Sequence, residues 1–448
     1  MTVDLEALAS ETLSWMTAQS AGTEAEIYLE RTHVRTLSRR EGFREGCEIA
    51  DGLGAGVRVL RDGKVGFATA GGADLTTLKR LWTQAVGQLS TVAAEPGRRL
   101  PAAAAPNTPA SLETSLRDES LFTRSWDELE QSLLGSEEAA AAQGQARIVR
   151  SDVRETREES VIANSHGLFA HQRGDFVAAS VSSAAEDGGE MQVGEGWRGA
   201  RRFDAVDWTG AGAEAARRAL AIIGARRIRP GRATVVFAPW VGVEFLEVIA
   251  ELLSAQEVES GRSLLGGRQG RSVASPLLTL SDDPHLLSGW GSCAFDGEGV
   301  ATRSKTLIDR GVLREFLYDS ATAARAGVEP NGCGHREAFD SLPRPGVSNL
   351  FIAPGSGSAD ELISKTGDGL FVYEVLGIHM IDPVSGEFSV GISGQVLNRG
   401  ALGPPFKSAM ISGNLLDLLG RIDAVADDLA FYGGLGAPTF RVAELDAS

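Results

Sequence analysis

The first half of the chain contains four stretches in which apolar residues recur with the period of an amphipathic helix. These stretches cover residues 4–20, 73–91, 125–143 and 205–224. The third stretch begins after Ser125, and Glu128 stands three residues later, which is the sequence of a capping box. Residues 93–109 are rich in Pro and Ala and therefore indicate a loop.

Strands are predicted between these helices. Apolar and polar residues alternate over 24–31, and again over 55–69, where Asp62-Gly63 predicts the turn of a hairpin. The alternation resumes over 146–200 as a series of short segments, with Arg173-Gly174 at one of the expected turns. This part therefore reads as an antiparallel meander, and the first half as a mixed α+β domain.

The second half opens with a predicted strand over 233–239 and a predicted helix over 243–257. Short apolar segments then predict strands near 275–280, 313–318, 349–355, 369–375, 386–398 and 407–413. Shorter helices are expected near 318–326, 358–366 and 413–426.

A chain of 448 residues is too long for one ordinary core, so we expect two domains. Pro230-Gly231 interrupts the pattern after the last helix of the first half. We therefore predict an α+β fold with an N-terminal α+β domain over 1–228 and a β-rich C-terminal domain over 229–448.

The helix predicted over 243–257 carries the most notable polar pattern of the chain. Its apolar residues share one face, and Glu244, Glu247 and Glu251 share the other. Carboxylate oxygens at this spacing can hold a hard cation. Most glutamate rows on helices are only solvated faces, and we regard this interpretation as the more common one.

The net charge limits the class of partner. The chain carries 43 Lys and Arg against 60 Asp and Glu, a formal net charge of −17. A nucleic-acid backbone would be repelled on average, so we expect no nucleic-acid partner. Arg201-Arg202 belongs to the most basic part of the chain, and we interpret these arginines as solvated or ion-paired.

The cysteines and the N-terminus indicate the compartment. Cys47, Cys293 and Cys333 are odd in number and far apart, which fits a reducing cytoplasm better than a disulfide framework. The N-terminal residues are acidic where a signal peptide is basic. No uncharged apolar run reaches membrane-spanning length, so we expect a soluble cytoplasmic protein without a membrane partner.

Several common enzyme motifs are missing from the sequence. It contains no GxxxxGK[ST], no GxSxG and no HExxH, and the glycine run at 52–56 leads into a strand instead of a helix. Cys333-Gly334-His335 offers two metal-ligand types with nothing nearby to complete a site. Asp296 and Glu298 in FDGEG are predicted to be turn residues.

Several long motifs in order resemble one known family. They lie at 271–284 (RSVASPLLTLSDDP), 295–327 (beginning FDGEGVATRSKTLIDRGVL), 367–400 (with GEFS at its centre) and 411–429 (ISGNLLDLLGRIDAVADDL). Together they resemble the TldD/PmbA family, once called modulators of DNA gyrase. The resemblance covers nearly the whole chain and is clearest after residue 140.

The resemblance implies a two-chain peptidase. In this family the TldD branch carries HExxxH on a helix and a distant Cys, and these side chains bind zinc. The PmbA (or TldE) branch lacks the ligands and pairs with TldD. The heterodimer cleaves unfolded or leader-peptide segments that are held in extended form as an added β-strand.

Aligning the zinc helix on LEVIAE, residues 246–251, shows which branch this chain resembles. Leu246 and Glu251 stand where the histidines would be, and Glu247 stands where the family has its general base. No His occurs from 172 to 284, and the C-terminal stretch 431–442 lacks the cysteine. The resemblance thus implies no catalytic residue and no metal ligand in this chain, with zinc expected in the partner subunit.

The leading hypothesis is a non-catalytic PmbA/TldE-like subunit of a TldD-type zinc metallopeptidase heterodimer. It would help the partner degrade unfolded peptides or remove leader peptides. One alternative is a stand-alone or homodimeric metal-dependent peptidase that uses Glu244, Glu247 and Glu251 as an atypical carboxylate site. Another alternative is a peptide-binding protein without catalysis.

Overall fold

One six-stranded antiparallel sheet forms the framework of the first half of the chain. The computed structural model describes residues 3–19, 22–95, 98–102 and 110–448. Its strands, in chain order, are Glu24–Arg40 (β1), Phe43–Arg61 (β2), Lys64–Gly71 (β3), Ala146–Asn164 (β4), Phe169–Asp187 (β5) and Glu190–Ala200 (β6). Their order in the sheet is β3-β2-β1-β4-β5-β6.

Helices cover one face of this sheet. They are Leu5–Gln19 (α1), Leu75–Gln88 (α2), Trp126–Ala141 (α4) and Trp208–Ala221 (α5). A short helix at Ala110–Ser115 (α3) and a 3-10 turn at Phe203–Ala205 lie in the connecting segments. Apolar residues of α1 and α2 form a core with β1 to β3, and those of α4 and α5 form another with β4 and β5. The predicted helices are confirmed, as is the capping box of Ser125 and Glu128.

The turn predicted at Arg173-Gly174 is wrong. Both residues lie inside β5, where Gly174 pairs with Glu158 of β4. A Cβ on Gly174 would lie 2.6 Å from Nη1 of Arg201. The glycine therefore makes room for a side chain above the sheet, and the Arg-Gly pair is not a reversal of the chain. The Asp62-Gly63 hairpin is confirmed, because both residues have positive φ between β2 and β3.

The second half is rich in strands. Its strands are Gly231–Phe237 (β7), Leu280–Asp282 (β8), Lys305–Asp309 (β9), Val312–Leu313 (β10), Gly334–His335 (β11), Arg344–Pro345 (β12), Leu350–Ile352 (β13), Gly369–Leu376 (β14), Glu387–Asn398 (β15), Ala401–Asn414 (β16), Ile422–Val425 (β17), Ala430–Tyr432 (β18), Leu435–Ala437 (β19) and Phe440–Ala447 (β20). One sheet runs β16-β15-β14-β7-β20-β17, and an added β16–β20 pairing closes it on itself. A second sheet runs β10-β9-β8-β13-β19-β18.

The helices of this half are short. They are Pro239–Leu252 (α6), Ala255–Glu259 (α7), Ser320–Ala326 (α8), Ala359–Thr366 (α9) and Leu415–Gly420 (α10), with a 3-10 turn at Ile378–Met380. The longest, α6, packs against β14 of the closed sheet and β19 of the second sheet. Among the described residues, no helix is long and apolar enough to cross a membrane.

Several predicted elements of this half are shorter than expected. The strands expected over 275–280 and 313–318 shrink to β8 and β10. The helix expected over 413–426 ends at Gly420, because Ile422 and Val425 pair with β20 instead. Buried β-branched residues that reach a partner strand outweigh the local helical period.

Four buried charged side chains join the N-terminal sheet to the second half. Arg58 of β2 donates to Glu26 of β1 at 2.6 Å and to Glu298 at 3.3 Å. Arg336 donates to the other oxygen of Glu26 at 2.5 Å. Burial raises the pKa of Glu26, but the two guanidiniums outweigh it and hold the net pKa below its usual value. We call these four residues the buried ion network.

Removing one member of this network leaves a charge buried without its partner. We predict that Arg58→Ala lowers the free energy of unfolding by about 3–5 kcal/mol. The matched control is Arg40→Ala, since Arg40 pairs with Glu45 at an exposed site and its loss should cost less than about 1 kcal/mol. Urea denaturation of the two variants measures both values, and equal midpoints would show that the network contributes nothing.

Candidate functional site

A cleft of about 510 Å³ lies between the N-terminal sheet and the second half of the chain. Its floor is the sheet face opposite the helices, with Tyr28 and Glu30 of β1, Glu158 of β4, and Phe176 of β5. These residues share that face because alternate positions of a strand point the same way. The opposite wall is formed by loops of the second half over 290–297, 332–337, 346–348 and 434–435, with Ala250 of α6.

Two carboxylates on the floor have no ion-pair partner among the described residues. They are Glu30 and Glu158. Burial, followed by the charge of Glu158, raises the pKa of Glu30 to about 7. Burial also raises the pKa of Glu158, although Arg201 and Arg154 oppose the shift. Arg201 and Arg154 thus act on the exposed Glu158 from beyond ion-pair distance, and no cation of the described residues forms an ion pair with either carboxylate.

Arg201 enters the cleft from the end of β6. It is 3% exposed, donates through Nε to Gly289 O at 3.0 Å, and reaches two further carbonyls through Nη2. Its guanidinium stacks on Phe176 at 3.8 Å. Burial lowers the pKa of Arg201 to about 10. The prediction that Arg201 is solvated or ion-paired is therefore wrong, whereas Arg202 pairs with Asp204 as expected.

The two cysteines of the cleft are not activated. Burial raises the pKa of both Cys293 and Cys333 to about 12, so neither thiol ionises near neutral pH. His335, beside Cys333, lies on β11, and burial lowers its pKa. Among the described residues, no group of three His, Cys, Asp or Glu side chains forms around Cys333 and His335.

The turn predicted at FDGEG is present. Asp296 accepts backbone N–H bonds from Glu298, Val300 and Gly334. Burial and the charge of Glu298 raise the pKa of Asp296 to about 7 against the effect of these bonds. Glu298 has a second role that the motif does not reveal, because its carboxylate belongs to the buried ion network.

The helix α6 starts at Pro239, four residues before the predicted start, and borders the cleft through Ala250. Leu246 is 1% exposed and packs in the core between the two sheets. Glu247 and Glu251 are exposed. Burial, followed by the charge of Glu247, raises the pKa of half-buried Glu244 to about 7. The predicted amphipathic character is confirmed.

These positions do not fit a zinc ion. Zinc takes nitrogen, sulfur or carboxylate ligands, and the aliphatic side chain of Leu246 provides none. Glu251 stands in solvent on another side of the helix. Within residues 3–19, 22–95, 98–102 and 110–448, no three His, Cys, Asp or Glu side chains are placed to hold a metal together. The row of Glu244, Glu247 and Glu251 therefore gives no support to the alternative carboxylate site.

Three family models match consecutive parts of the chain. The PmbA/TldA metallopeptidase domain 1 matches residues 25–86, the central domain matches 127–222, and the C-terminal domain matches 230–448. The α+β fold and these matches thus define the class of protein, a chain of metallopeptidase type. The chain belongs to the PmbA/TldD metallopeptidase family.

Curated relatives carry metalloprotease names. The chain is 27% identical to the Metalloprotease TldD homolog of Haemophilus influenzae, over 92% of this chain and 87% of the relative. It is 28% identical to a Metalloprotease of Methanothermobacter thermautotrophicus, over 92% of this chain and 89% of the relative. It is 27% identical to Metalloprotease PmbA of Escherichia coli O157:H7, over 60% of this chain and 58% of the relative. These identities are too similar to separate the two branches.

Solved structures have the same fold. A modulator of a DNA gyrase from Thermotoga maritima superposes with a TM-score of 0.89 at 25% identity, over 99% of this chain and 100% of that chain. TldE from Thermococcus kodakarensis gives a TM-score of 0.88 at 20% identity, over 98% and 100%. The second likeness shows the fold alone.

Sequence reasoning did not find the floor of the cleft. Tyr28, Glu30 and Glu158 lie in regions whose alternation predicts strands, but alternation does not tell whether another part of the chain covers the polar face. The available signal is the strand EAEIYLER, where a tyrosine stands between two glutamates on the supposedly solvated face. A large aromatic residue on that face indicates that another part of the chain covers it.

Leu246 and Glu251 of α6 should respond differently to truncation. We predict that Leu246→Ala lowers the free energy of unfolding by about 2–5 kcal/mol, because it leaves a cavity between two sheets. Glu251→Ala should change it by no more than about 0.5 kcal/mol, since that side chain is exposed. Thermal and urea unfolding measure both. A loss below about 1 kcal/mol for Leu246→Ala would contradict its place in the core.

Proposed function

We propose that this chain is the non-catalytic, PmbA/TldE-like subunit of a TldD-type zinc metallopeptidase heterodimer that degrades unfolded peptides or removes leader peptides. The observation that carries the proposal is the position of Leu246 in α6. This helix keeps its place beside the cleft, yet Leu246 of its metal-aligned positions is a buried core residue. Without ligands, the chain has no means to lower the pKa of a zinc-bound water.

The cleft supports a peptide-handling role for the subunit. Its volume of about 510 Å³ is suited to a few residues of an extended segment. Aromatic side chains and unpaired polar groups line the same space, and such a mixture fits a ligand with both a peptide backbone and apolar side chains. We infer that the cleft is the part of the substrate chamber supplied by this chain.

An unpaired strand edge supports association with a second chain. β3 pairs with β2 only from Gly54 to Arg61. Across residues 43–53, β2 pairs with β1 on one side and has no described strand on the other. Phe43 and Ile49 in this edge are 78% and 58% exposed. Open edges with exposed apolar residues are templates for pairing between chains.

The carboxylate peptidase is not proposed as a second function, because the glutamates of α6 do not converge among the described residues. The compartment we propose is the cytoplasm. Its support is that Cys47, Cys293 and Cys333 are all free thiols, as in proteins of reducing compartments.

Purification of the tagged chain from its native host tests the proposed partner. We predict that a second chain bearing HExxxH co-purifies in equal amount, and that zinc is recovered in proportion to that second chain. Substitution of the exposed β2 edge residues Phe43 and Ile49 by Lys should reduce recovery of the partner, while Leu402→Lys, at another exposed apolar site, should not.

Recovery of this chain alone, or as a homodimer without a second polypeptide, contradicts the heterodimer. Normal recovery of the partner with the substituted β2 edge would place the interface elsewhere on the chain. Folding of each variant is checked by its unfolding midpoint, so that a lost partner is not confused with a lost fold.

A further inference from the structure

Two carboxylates of the cleft floor are arranged to meet one cation. Glu30 of β1 lies opposite Ser160 in the register of β1 and β4, and Glu158 lies two residues further along β4 on the same face. Diagonal neighbours of this kind are about 7–8 Å apart, within reach of long side chains. Neither carboxylate has a described ion-pair partner; Glu30 is half-buried and Glu158 is exposed in the cleft.

A buried guanidinium beside them has a free donor. Nε and Nη2 of Arg201 are bound to carbonyls of the loop 289–292. Nη1 lies over Gly174, which pairs directly with Glu158. Nη1 has no acceptor among the described residues, while the side chain as a whole is 3% exposed. The other bonds of the guanidinium fix this donor in position on the cleft lining, where it is available to a ligand.

We propose that the cleft selects peptide segments that contain a lysine or arginine, whose side-chain cation lies between Glu30 and Glu158 while a main-chain carbonyl of the segment accepts from Nη1 of Arg201. The proposal rests on the proposed function only for the peptide nature of the ligand. An extended segment offers a carbonyl and a long side chain from one residue, which matches the two kinds of unpaired group on the floor.

The balance of charge favours a cation over an anion. When both carboxylates are ionised, Glu30, Glu158 and Arg201 carry one net negative charge. Most other charged groups of the lining already have an ion-pair partner: Glu159 pairs with Arg31 and His171, Glu337 with Arg344, and Arg336 with Glu26. The net negative charge of the three cleft residues is therefore not compensated by these groups. An acidic side chain would bring a third carboxylate beside two that are already partly desolvated.

The walls suit the stem of a long basic side chain. Tyr28 stands next to Glu30 on the same face of β1, and Trp290 lies on the opposite wall against Phe176, with ring centroids 4.8 Å apart. Methylene groups of lysine or arginine pack on such surfaces while the charged end reaches a carboxylate. A short cation without a stem would leave these walls uncovered.

Binding to the full chain tests the proposal. The probes are two fluorescein-labelled, end-blocked decapeptides of one unstructured sequence, which differ only in a central arginine or citrulline. Citrulline keeps the shape of arginine and removes its charge. We expect the arginine peptide to bind at least about tenfold more tightly by fluorescence anisotropy at pH 8 and low salt. The Glu30→Gln and Glu158→Gln double variant should bind the two peptides equally.

Two further variants separate the roles of the groups. Glu48→Gln removes an exposed carboxylate of β2 outside the cleft and should keep the full preference for arginine. Arg201→Gln should weaken both peptides by a similar factor and keep the preference, since its proposed contact is with the main chain. The single variants Glu30→Gln and Glu158→Gln provide the same test if the double variant does not fold.

Equal binding of the two peptides by the unaltered chain overturns the proposal, and so does an arginine preference that survives in folded Glu30→Gln and Glu158→Gln variants. The assay needs no second subunit and no catalysis. A negative result therefore leaves the heterodimer untouched, and failure to recover a partner from the host leaves the charge preference of the cleft untouched.

Discussion

The buried ion network is the constraint on which the rest of the structure depends. Arg58 satisfies carboxylates from two parts of the chain, Glu26 beside it in the N-terminal sheet and Glu298 in the second half. Removing a charge from water is costly unless it is paired or hydrogen-bonded in a good geometry. The network therefore fixes how the face of the sheet meets the loops of the second half, and the cleft is the space left beside this fixed contact.

The helix α6 has a structural role that does not depend on a bound metal. It fills the space between the closed sheet and the second sheet, so its apolar face is required whether or not a metal is bound. Leu246 contributes to that core and is 1% exposed. The proposed division of labour between two chains rests on this residue, because a core leucine at a metal-aligned position leaves the helix its packing role alone.

Much of the fold could be predicted from local pattern, and little of the cleft. The capping box at Ser125 and the Asp62-Gly63 hairpin were predictable because their signals lie within a few residues. Gly174 was mistaken for a turn because its reason is a side chain from another strand. The places of Arg201 and Glu158 in the cleft could not be predicted for the same reason, since the loops that cover these residues are distant in sequence.

The most direct test of the central claim is a peptidase assay of the purified chain with zinc, alone and mixed with the HExxxH-bearing chain recovered from the same host. The substrate is an unfolded, fluorescently quenched peptide. The account predicts no cleavage by this chain alone, and cleavage by the mixture that exceeds that of the partner alone and is abolished by a zinc chelator. Chelator-sensitive cleavage by this chain alone would contradict it.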